Sequence, residues 1–238
     1  MSFDLKDVVP WGRSFYEYRA MFSLSPEELD KKILGCGDGP ASFNYHMNAI
    51  GRRVVSIDPL YQFTKKEIET RINDTFQVVI RQTEENKTEF VWEKIRSVAE
   101  LGKIRREAME LFLSDYEAGK REGRYVYGEL PVLALGTRQF DIALCSHFLF
   151  LYSGQFSAQF HLDSIAELCR VAEEVRIFPI LELGSKVSRH LKKVCDHFQG
   201  LGYTVEISTV GYEFQKGGNQ LFRIRRNALL PPAEPGCQ

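Results

Sequence analysis

Three glycines at alternate positions constrain this chain more than any other feature. Gly35, Gly37 and Gly39 follow the apolar pair Ile33-Leu34 and precede a stretch with helical character. Glycine lets the backbone turn sharply and lets a ligand approach closely, and the first turn of a helix offers unpaired N–H groups. The pattern therefore predicts a strand, a glycine-rich turn and a helix, with a ligand bound at the turn.

A second predicted strand, residues 53–57, ends in a carboxylate. Asp58 follows it directly, and a carboxylate at this position can accept hydrogen bonds from both hydroxyls of a ribose. The fingerprint of dinucleotide sites would place a third spaced glycine at position 40, where this chain has Pro40. The carboxylate at the strand end therefore predicts a ribose-binding site, and the missing third glycine argues against a pyrophosphate.

Strands and helices continue to alternate along the chain. Further strands are predicted at 125–127, 140–146, 175–183, 203–210 and 219–225, and helices at 41–50, 162–172 and after Ser188. Gly217-Gly218 joins the last two strands closely enough for an antiparallel hairpin. The order predicts an α/β domain over residues 31–230.

Three segments lie outside this alternation. Residues 1–30 are predicted to be an N-terminal helical segment, residues 62–122 a helical insertion and residues 231–238 a disordered tail. The insertion has apolar residues at helical spacing, among them Val91, Ile95, Val98 and Leu101. It is either a stabilising appendage or a cap over the site, and we favour the cap.

The element order, with Gly-Asp-Gly-Pro-Ala-Ser-Phe-Asn, Ser-Ile-Asp-Pro-Leu-Tyr and Cys-Ser-His-Phe-Leu-Phe-Leu-Tyr, resembles the class I S-adenosylmethionine-dependent methyltransferases. In detail it resembles a bacterial branch of unassigned substrate. The resemblance implies a Rossmann-like fold: a seven-stranded, mostly parallel sheet with the last strand antiparallel and helices on both faces. It also implies S-adenosylmethionine as cofactor and S-adenosylhomocysteine as product.

The resemblance also implies cofactor contacts from Gly35, Gly37, Gly39, Asp58, Tyr61, Glu129 and Ser146. Asp58 would bind the ribose, and the glycines would lie under the methionine part. Tyr61 would cover the adenine, or it is an ordinary core tyrosine. Glu129 would accept a hydrogen bond from the adenine amino group, or it belongs to a plain turn.

The chemistry would take place at the end of the fourth strand. Ser146 and His147 would face the methyl group, and His147 is the candidate catalytic base, since a neutral imidazole can accept a proton. A structural histidine is the alternative, and His161 is a weaker candidate. Arg13 would bind the cofactor carboxylate or form a surface ion pair. No cluster with metal-ligand spacing is present in the sequence.

Composition limits the binding partners and the cellular compartment that we expect for this chain. A net charge of −1 gives no general attraction to nucleic acids or anionic membranes. The five cysteines contain no C-x-x-C motif, and no apolar run is long enough to span a membrane, so we expect a cytoplasmic protein with no membrane partner. The oligomeric state is not predicted.

These features predict methyl transfer to a small or medium-sized acceptor. One alternative is a tRNA or rRNA methyltransferase, which would use the basic residues of the insertion and its end, namely Arg105, Arg106, Arg121 and Arg124. Another is a non-catalytic, methyltransferase-like binding module, because Ile33 stands where that superfamily usually has an acidic residue. Asp38, inside the turn, could take over the electrostatic role of that acid.

Overall fold

A computed structural model describes residues 9–227, which form a seven-stranded sheet, a separate strand pair and flanking helices. The strands are β1 (Ile33–Cys36), β2 (Val54–Ile57), β3 (Tyr125–Val126), β4 (Phe140–Ser146), β5 (Ala172–Phe178), β6 (Leu181–Glu182), β7 (Lys186–Val187), β8 (Tyr203–Thr209) and β9 (Gln220–Arg226). The helices are α1 (Phe15–Met21), α2 (Phe43–Ala49), α3 (Lys65–Glu85), α4 (Val98–Arg121), α5 (Ala158–Val171) and α6 (Leu191–Gly200). The tail predicted at 231–238 lies outside the described residues.

The sheet has the strand order β3-β2-β1-β4-β5-β9-β8. The pairs β1–β2, β1–β4, β2–β3 and β4–β5 are parallel, and β9 runs antiparallel to both β5 and β8. The predicted fold class, a mostly parallel seven-stranded sheet with an antiparallel last strand, is therefore confirmed. The strand order reverses between β1 and β4, and open α/β sheets bind ligands beyond the carboxyl ends of strands at such a point.

Alternate residues of the central strands face two separate cores. Leu34 and Cys145 belong to the core that α5 and α6 cover, whereas Ile33 and Leu144 belong to the core that α1 and α2 cover. A parallel sheet buried on both faces reads as a continuous apolar run, which is why β1 and β4 could be predicted as strands. The helices on both faces hold the carboxyl ends of β1, β2 and β4 in fixed positions.

Helices α3 and α4 follow β2 and pack against each other. Thr64 begins α3 with a reciprocal capping box to Glu67, and Ser97 caps α4 through the Glu100 N–H. Their shared core is apolar and aromatic, with Phe76 and Phe112 among its members. We call α3 and α4 the helix pair.

The segment between the two helices departs from the prediction. Val91 and Ile95 have helical spacing in the sequence but lie in irregular backbone. The Val91 N–H donates to the Phe214 carbonyl at 2.7 Å, and the Lys216 N–H donates to the Glu89 carbonyl at 2.9 Å. Backbone groups paired across the molecule cannot also close helical turns. We call this pairing of residues 89–91 with 214–216 the clasp.

Strand β5 is also shorter than predicted. It ends at Phe178, directly before Pro179, because proline has no N–H to donate to a neighbouring strand. The chain then forms the short β6–β7 pair, which is separate from the main sheet. The end of β5 therefore opens onto the same edge of the sheet as the end of β4.

Candidate active site

The glycine turn after β1 is tied to the end of β2. Gly37 has φ +70°, a conformation that glycine adopts without strain, and its N–H donates to the Ile57 carbonyl at 2.9 Å. A Cβ atom at this position would lie 3.2 Å from the Phe148 side chain. The turn is thus fixed by its own backbone conformation, by β2 and by an aromatic ring packed closely against it.

Asp38 is a buried carboxylate within this turn. It accepts hydrogen bonds from the Tyr18 hydroxyl at 2.8 Å and from the Ser56 hydroxyl at 2.7 Å. It folds back over Gly35, where a Cβ atom would overlap its carboxyl group. Burial raises the pKa of Asp38 to about 6. Within residues 9–227 it has no cationic partner.

Asp58 connects the turn to the segment after β2. Its Oδ2 accepts the Gly39 N–H at 2.8 Å, and its Oδ1 accepts the Leu60 N–H at 2.7 Å. Burial raises the pKa of Asp58, while these two backbone hydrogen bonds lower it. Each carboxylate oxygen can accept more than one hydrogen bond, so the group can still bind two ligand hydroxyls.

Tyr61 and Glu129, the predicted adenine contacts, have different environments. The Tyr61 side chain is buried, donates to the Gly39 carbonyl at 2.7 Å and packs edge-on against Tyr125 at 5.4 Å. It supports the turn from within the core and is not part of the cavity wall. Leu60 lines the cavity instead. Glu129 also lines the cavity and is exposed.

His147 follows β4 in a left-handed backbone conformation with φ +51°. Its N–H donates to the Phe178 carbonyl at 2.6 Å, and its Nδ1 lies 3.0 Å from the Ser146 hydroxyl. Burial, with the nearby guanidinium groups of Arg13 and Arg105, holds the pKa of His147 well below its usual value. The imidazole is therefore neutral at pH 7. His161 is buried between the Ser157 and Leu149 carbonyls and does not line the cavity.

Arg13 belongs to an extended segment that precedes α1 and crosses the glycine turn. Its carbonyl accepts the Ser42 N–H at 3.0 Å, and the adjacent Gly12 lies so close to the Pro40 carbonyl that a Cβ atom would overlap it. The Arg13 guanidinium lines the cavity, and within residues 9–227 it donates only to the Trp11 carbonyl, at 3.2 Å. No carboxylate in the described part of the chain forms an ion pair with it. Burial and Arg105 lower the pKa of Arg13, and Tyr212, Glu17 and Tyr18 offset only part of that shift.

Arg105 of α4, by contrast, forms a buried ion pair through both of its Nη atoms. Its Nη1 and Nη2 donate to the two Glu17 carboxylate oxygens at 2.6 and 2.7 Å, and the Tyr212 hydroxyl donates to the same carboxylate at 2.9 Å. Arg124 is paired internally as well, with Asp115 at 2.6 Å. These two arginines, which an RNA-binding face was predicted to present, are buried in structural ion pairs.

One cavity of about 870 Å³ joins these groups at the carboxyl edge of the sheet. It brings together most of the predicted site residues, namely Gly37, Gly39, Asp58, Glu129, Ser146 and His147. Gly35 and Tyr61 lie behind its wall. The cavity is also lined by residues that the sequence analysis did not single out, namely Val79, Phe178, Pro179, Tyr212 and Phe214. The aromatic residues between β8 and β9 were the one feature of the sequence that could have indicated this part of the lining.

Two further features concern the described residues as a group. No three or more His, Cys, Asp and Glu side chains of residues 9–227 are placed to hold a metal ion. None of the helices in that range has both the length and the apolar character needed to cross a bilayer.

Several solved structures are similar to this chain at 10–15% sequence identity. Magnesium protoporphyrin IX methyltransferase from Synechocystis PCC 6803, with bound SAM, has a TM-score of 0.44 and aligns 84% of this chain with 73% of its own. A TehB-like SAM-dependent methyltransferase from Corynebacterium glutamicum has a TM-score of 0.44, with coverages of 89% and 86%. A putative RNA methyltransferase, PH1948 from Pyrococcus horikoshii, has a TM-score of 0.40, with coverages of 86% and 78%.

Sequence comparison gives a closer relative. No family model matches the chain. The protein MJ0045 of Methanocaldococcus jannaschii, described as uncharacterised, is 36% identical over 224 residues, which are 94% of this chain and 98% of that protein. This relative is archaeal, so the predicted bacterial origin of the branch is not confirmed. With this identity over nearly the whole of both chains, the protein belongs to the same family as MJ0045.

Proposed function

We propose that this protein is an S-adenosylmethionine-dependent methyltransferase acting on a small or medium-sized acceptor. The observation that carries the proposal is a pair of opposite charges, Arg13 and Asp38, which line the cavity together with Asp58 and form no ion pair within residues 9–227. Together they fit a ligand with an amino acid at one end and a ribose at the other.

The fit to the amino acid part follows from the two charges. A desolvated charge without a partner is costly, and a bound counter-charge offsets that cost. Among the described residues, neither Asp38 nor Arg13 forms an ion pair, with each other or with another side chain. An α-ammonium beside Asp38 and an α-carboxylate beside Arg13 would compensate both. Asp38 would thereby take the place of the acidic residue that Ile33 replaces.

The fit to the nucleoside part depends on Asp58. Its carboxylate is already oriented by the Gly39 and Leu60 N–H groups and has acceptor positions left for two ribose hydroxyls. Leu60 and Glu129 line the cavity beside it and would contact the adenine. Tyr61 would act indirectly, by holding the Gly39 carbonyl.

When bound, the cofactor supplies an electrophilic methyl group on a sulfonium, and the protein mainly has to orient the acceptor and exclude water. His147 is the residue proposed to take the acceptor's proton, at Nε2, since its Nδ1 lies beside Ser146. Its low pKa makes it a weak base in the empty cavity. A carboxylate bound at Arg13 would remove part of the repulsion that lowers this pKa and would make His147 more basic.

A small acceptor is favoured over RNA because of what surrounds the cavity. We propose that the helix pair is a cap, since Val79 and Leu101 line the cavity and the clasp joins the cap to the chain between β8 and β9. Arg105 and Arg124, which an RNA face would need, are used in internal ion pairs.

Thermal unfolding and calorimetric titration test this proposal. S-adenosylhomocysteine should raise the melting temperature, because a ligand at 100 times its Kd stabilises the native state by about 2.7 kcal/mol. Asp58→Asn should weaken that binding roughly tenfold or more, since it removes charge-assisted hydrogen bonds to the ribose. Asp163→Asn, on the exposed side of α5, is the matched control. Stabilisation by NAD with no response to S-adenosylhomocysteine would exclude the proposal.

A further inference from the structure

The cavity is also lined by residues that the proposed function does not assign to the cofactor. Val79 of α3 and Leu101 of α4 face it from the helix pair. Phe178 faces it from the end of β5, and Tyr212 and Phe214 face it from the chain between β8 and β9. We call the region lined by these five residues the acceptor side.

The lining of the acceptor side is rich in aromatic rings that already contact one another. The Phe178 ring packs edge-on against His147 at 5.5 Å and against Tyr212 at 5.8 Å. The Phe214 ring is stacked on Phe90 at 4.9 Å. Such walls favour a ligand that offers another ring, because stacked and edge-on aromatic pairs add to the free energy of apolar burial.

The charged side chains on the acceptor side are either paired with an opposite charge or exposed to solvent. Arg105 reaches this part of the cavity but is neutralised by Glu17. Apart from Arg13, Asp38, Asp58 and Glu129, which are assigned to the cofactor, the other charged lining residues are Arg71 and Asp74, which are exposed, and Glu89, which is half-exposed. Once Arg13 and Asp38 are assigned to the cofactor, an ionic group in the interior would lose its hydration without gaining a counter-charge.

The volume of the cavity limits how many ligands it can hold. The cavity of about 870 Å³ is near the upper end of the range of about 300–1,000 Å³ typical of small-molecule sites. It therefore has room for a second small molecule beside the cofactor.

We propose that the acceptor is an uncharged, predominantly aromatic small molecule that binds on the acceptor side, next to His147. This inference rests on the proposed function, because it assigns Arg13, Asp38 and Asp58 to the cofactor. It goes further by specifying the charge and chemical class of the acceptor.

Three probes with the same ring system test the charge preference. Calorimetry on protein saturated with S-adenosylhomocysteine would compare 2-naphthol, 2-naphthoate and 2-naphthylmethylammonium at neutral pH. We expect 2-naphthol to bind at least ten times more tightly than either ion, since only the ions must be desolvated without a partner. Equal or tighter binding of either ion would overturn the inference.

A matched pair of variants locates the probe. Val79 is 4% exposed and lines the cavity, whereas its neighbour Val78 is 38% exposed. Val79→Asp should reduce 2-naphthol affinity at least tenfold with S-adenosylhomocysteine affinity unchanged, and Val78→Asp should change neither. Val79→Thr, which keeps the size of the side chain, should reduce 2-naphthol affinity severalfold and serves if Val79→Asp does not fold. Unchanged 2-naphthol affinity in the folded Val79 variants would place the probe elsewhere.

The two proposals fail in different ways. Absence of S-adenosylhomocysteine binding to the wild-type protein would contradict the proposed function. Normal S-adenosylhomocysteine binding together with a preference for an ionic probe would contradict only the inference about the acceptor.

Discussion

The glycine turn and the clasp both border the same cavity, but they are held in different ways. The turn is fixed by a hydrogen bond from the Gly37 N–H to β2 and by another from the Gly39 N–H to Asp58. Both contacts lie within two adjacent strands and their ends. The clasp joins residues 89–91 to 214–216, which are far apart in the chain, through two backbone hydrogen bonds and a pair of stacked rings. In the proposed function, the glycine turn and Asp58 form a preformed cofactor side of the cavity, whereas the acceptor side depends on long-range contacts.

The largest expected effect tests whether the helix pair is an integral part of the fold. Arg105→Met would leave the Glu17 carboxylate buried without its cation, and losing one partner of a buried pair costs about 3–5 kcal/mol. Urea unfolding measures this loss. Lys103→Met, on the same helix in an exposed pair with Glu107, should stay within about 0.5 kcal/mol of the wild type.

A loss below about 1 kcal/mol in Arg105→Met would show that α4 is attached loosely. The helix pair would then be held as weakly as the clasp. The contrast with the firmly held glycine turn would apply to the complete helix pair.

An intermediate effect concerns pH and the cofactor side. The pKa of Asp38 is raised to about 6, so this carboxyl is mostly protonated at pH 5 and mostly ionised at pH 7. Only the ionised form attracts an ammonium, so affinity for S-adenosylhomocysteine should be lost as pH falls through 6. A pKa one unit above the pH corresponds to about a tenfold loss, or about 1.4 kcal/mol.

Calorimetric titrations between pH 5 and pH 7.5 measure this dependence. Asp38→Asn should bind more weakly at pH 7 and lose the transition near pH 6. A transition near pH 6 that persists in the variant would rule out Asp38 as its origin.

The smallest expected effect is local opening of the clasp. Phe214→Ala removes the ring stacked on Phe90, and aromatic pairs contribute about 0.5–1.5 kcal/mol beyond their burial. Hydrogen exchange at the Val91 and Lys216 amides should accelerate severalfold, while amides in β4 keep their protection. Val187→Ala, at an exposed valine of β7, is the control. Equal acceleration in β4 would mean that the clasp opens only with the whole domain.

The turn could be predicted from the sequence because its determinants are local. Apolar runs mark β1 and β4, the spaced glycines mark the turn, and Asp58 stands at a strand end where a carboxylate has a simple use. The seven-stranded sheet with its antiparallel last strand was implied by the resemblance to the class I methyltransferases. These signals depend on neighbours in the chain, which one sequence displays directly.

The acceptor side could not be predicted in the same way. Arg105 lies among alternating charges that are typical of a solvated helix, yet its partner Glu17 lies on α1. Val91 continues a helical pattern but pairs with Phe214, which is more than a hundred residues away. Tyr61 has a suitable position for a ligand contact, but its ring faces the core. Each outcome depends on a tertiary partner that no local pattern indicates.

The close approach of Gly12 to Pro40 has a consequence for related sequences. Any side chain at position 12 would collide with a backbone carbonyl, which cannot rotate aside as a flexible side chain can. Relatives that keep this crossing should therefore keep glycine at position 12. The recognisable signature of the family would then begin ahead of β1, and a search restricted to the glycine-rich motif would miss its first element.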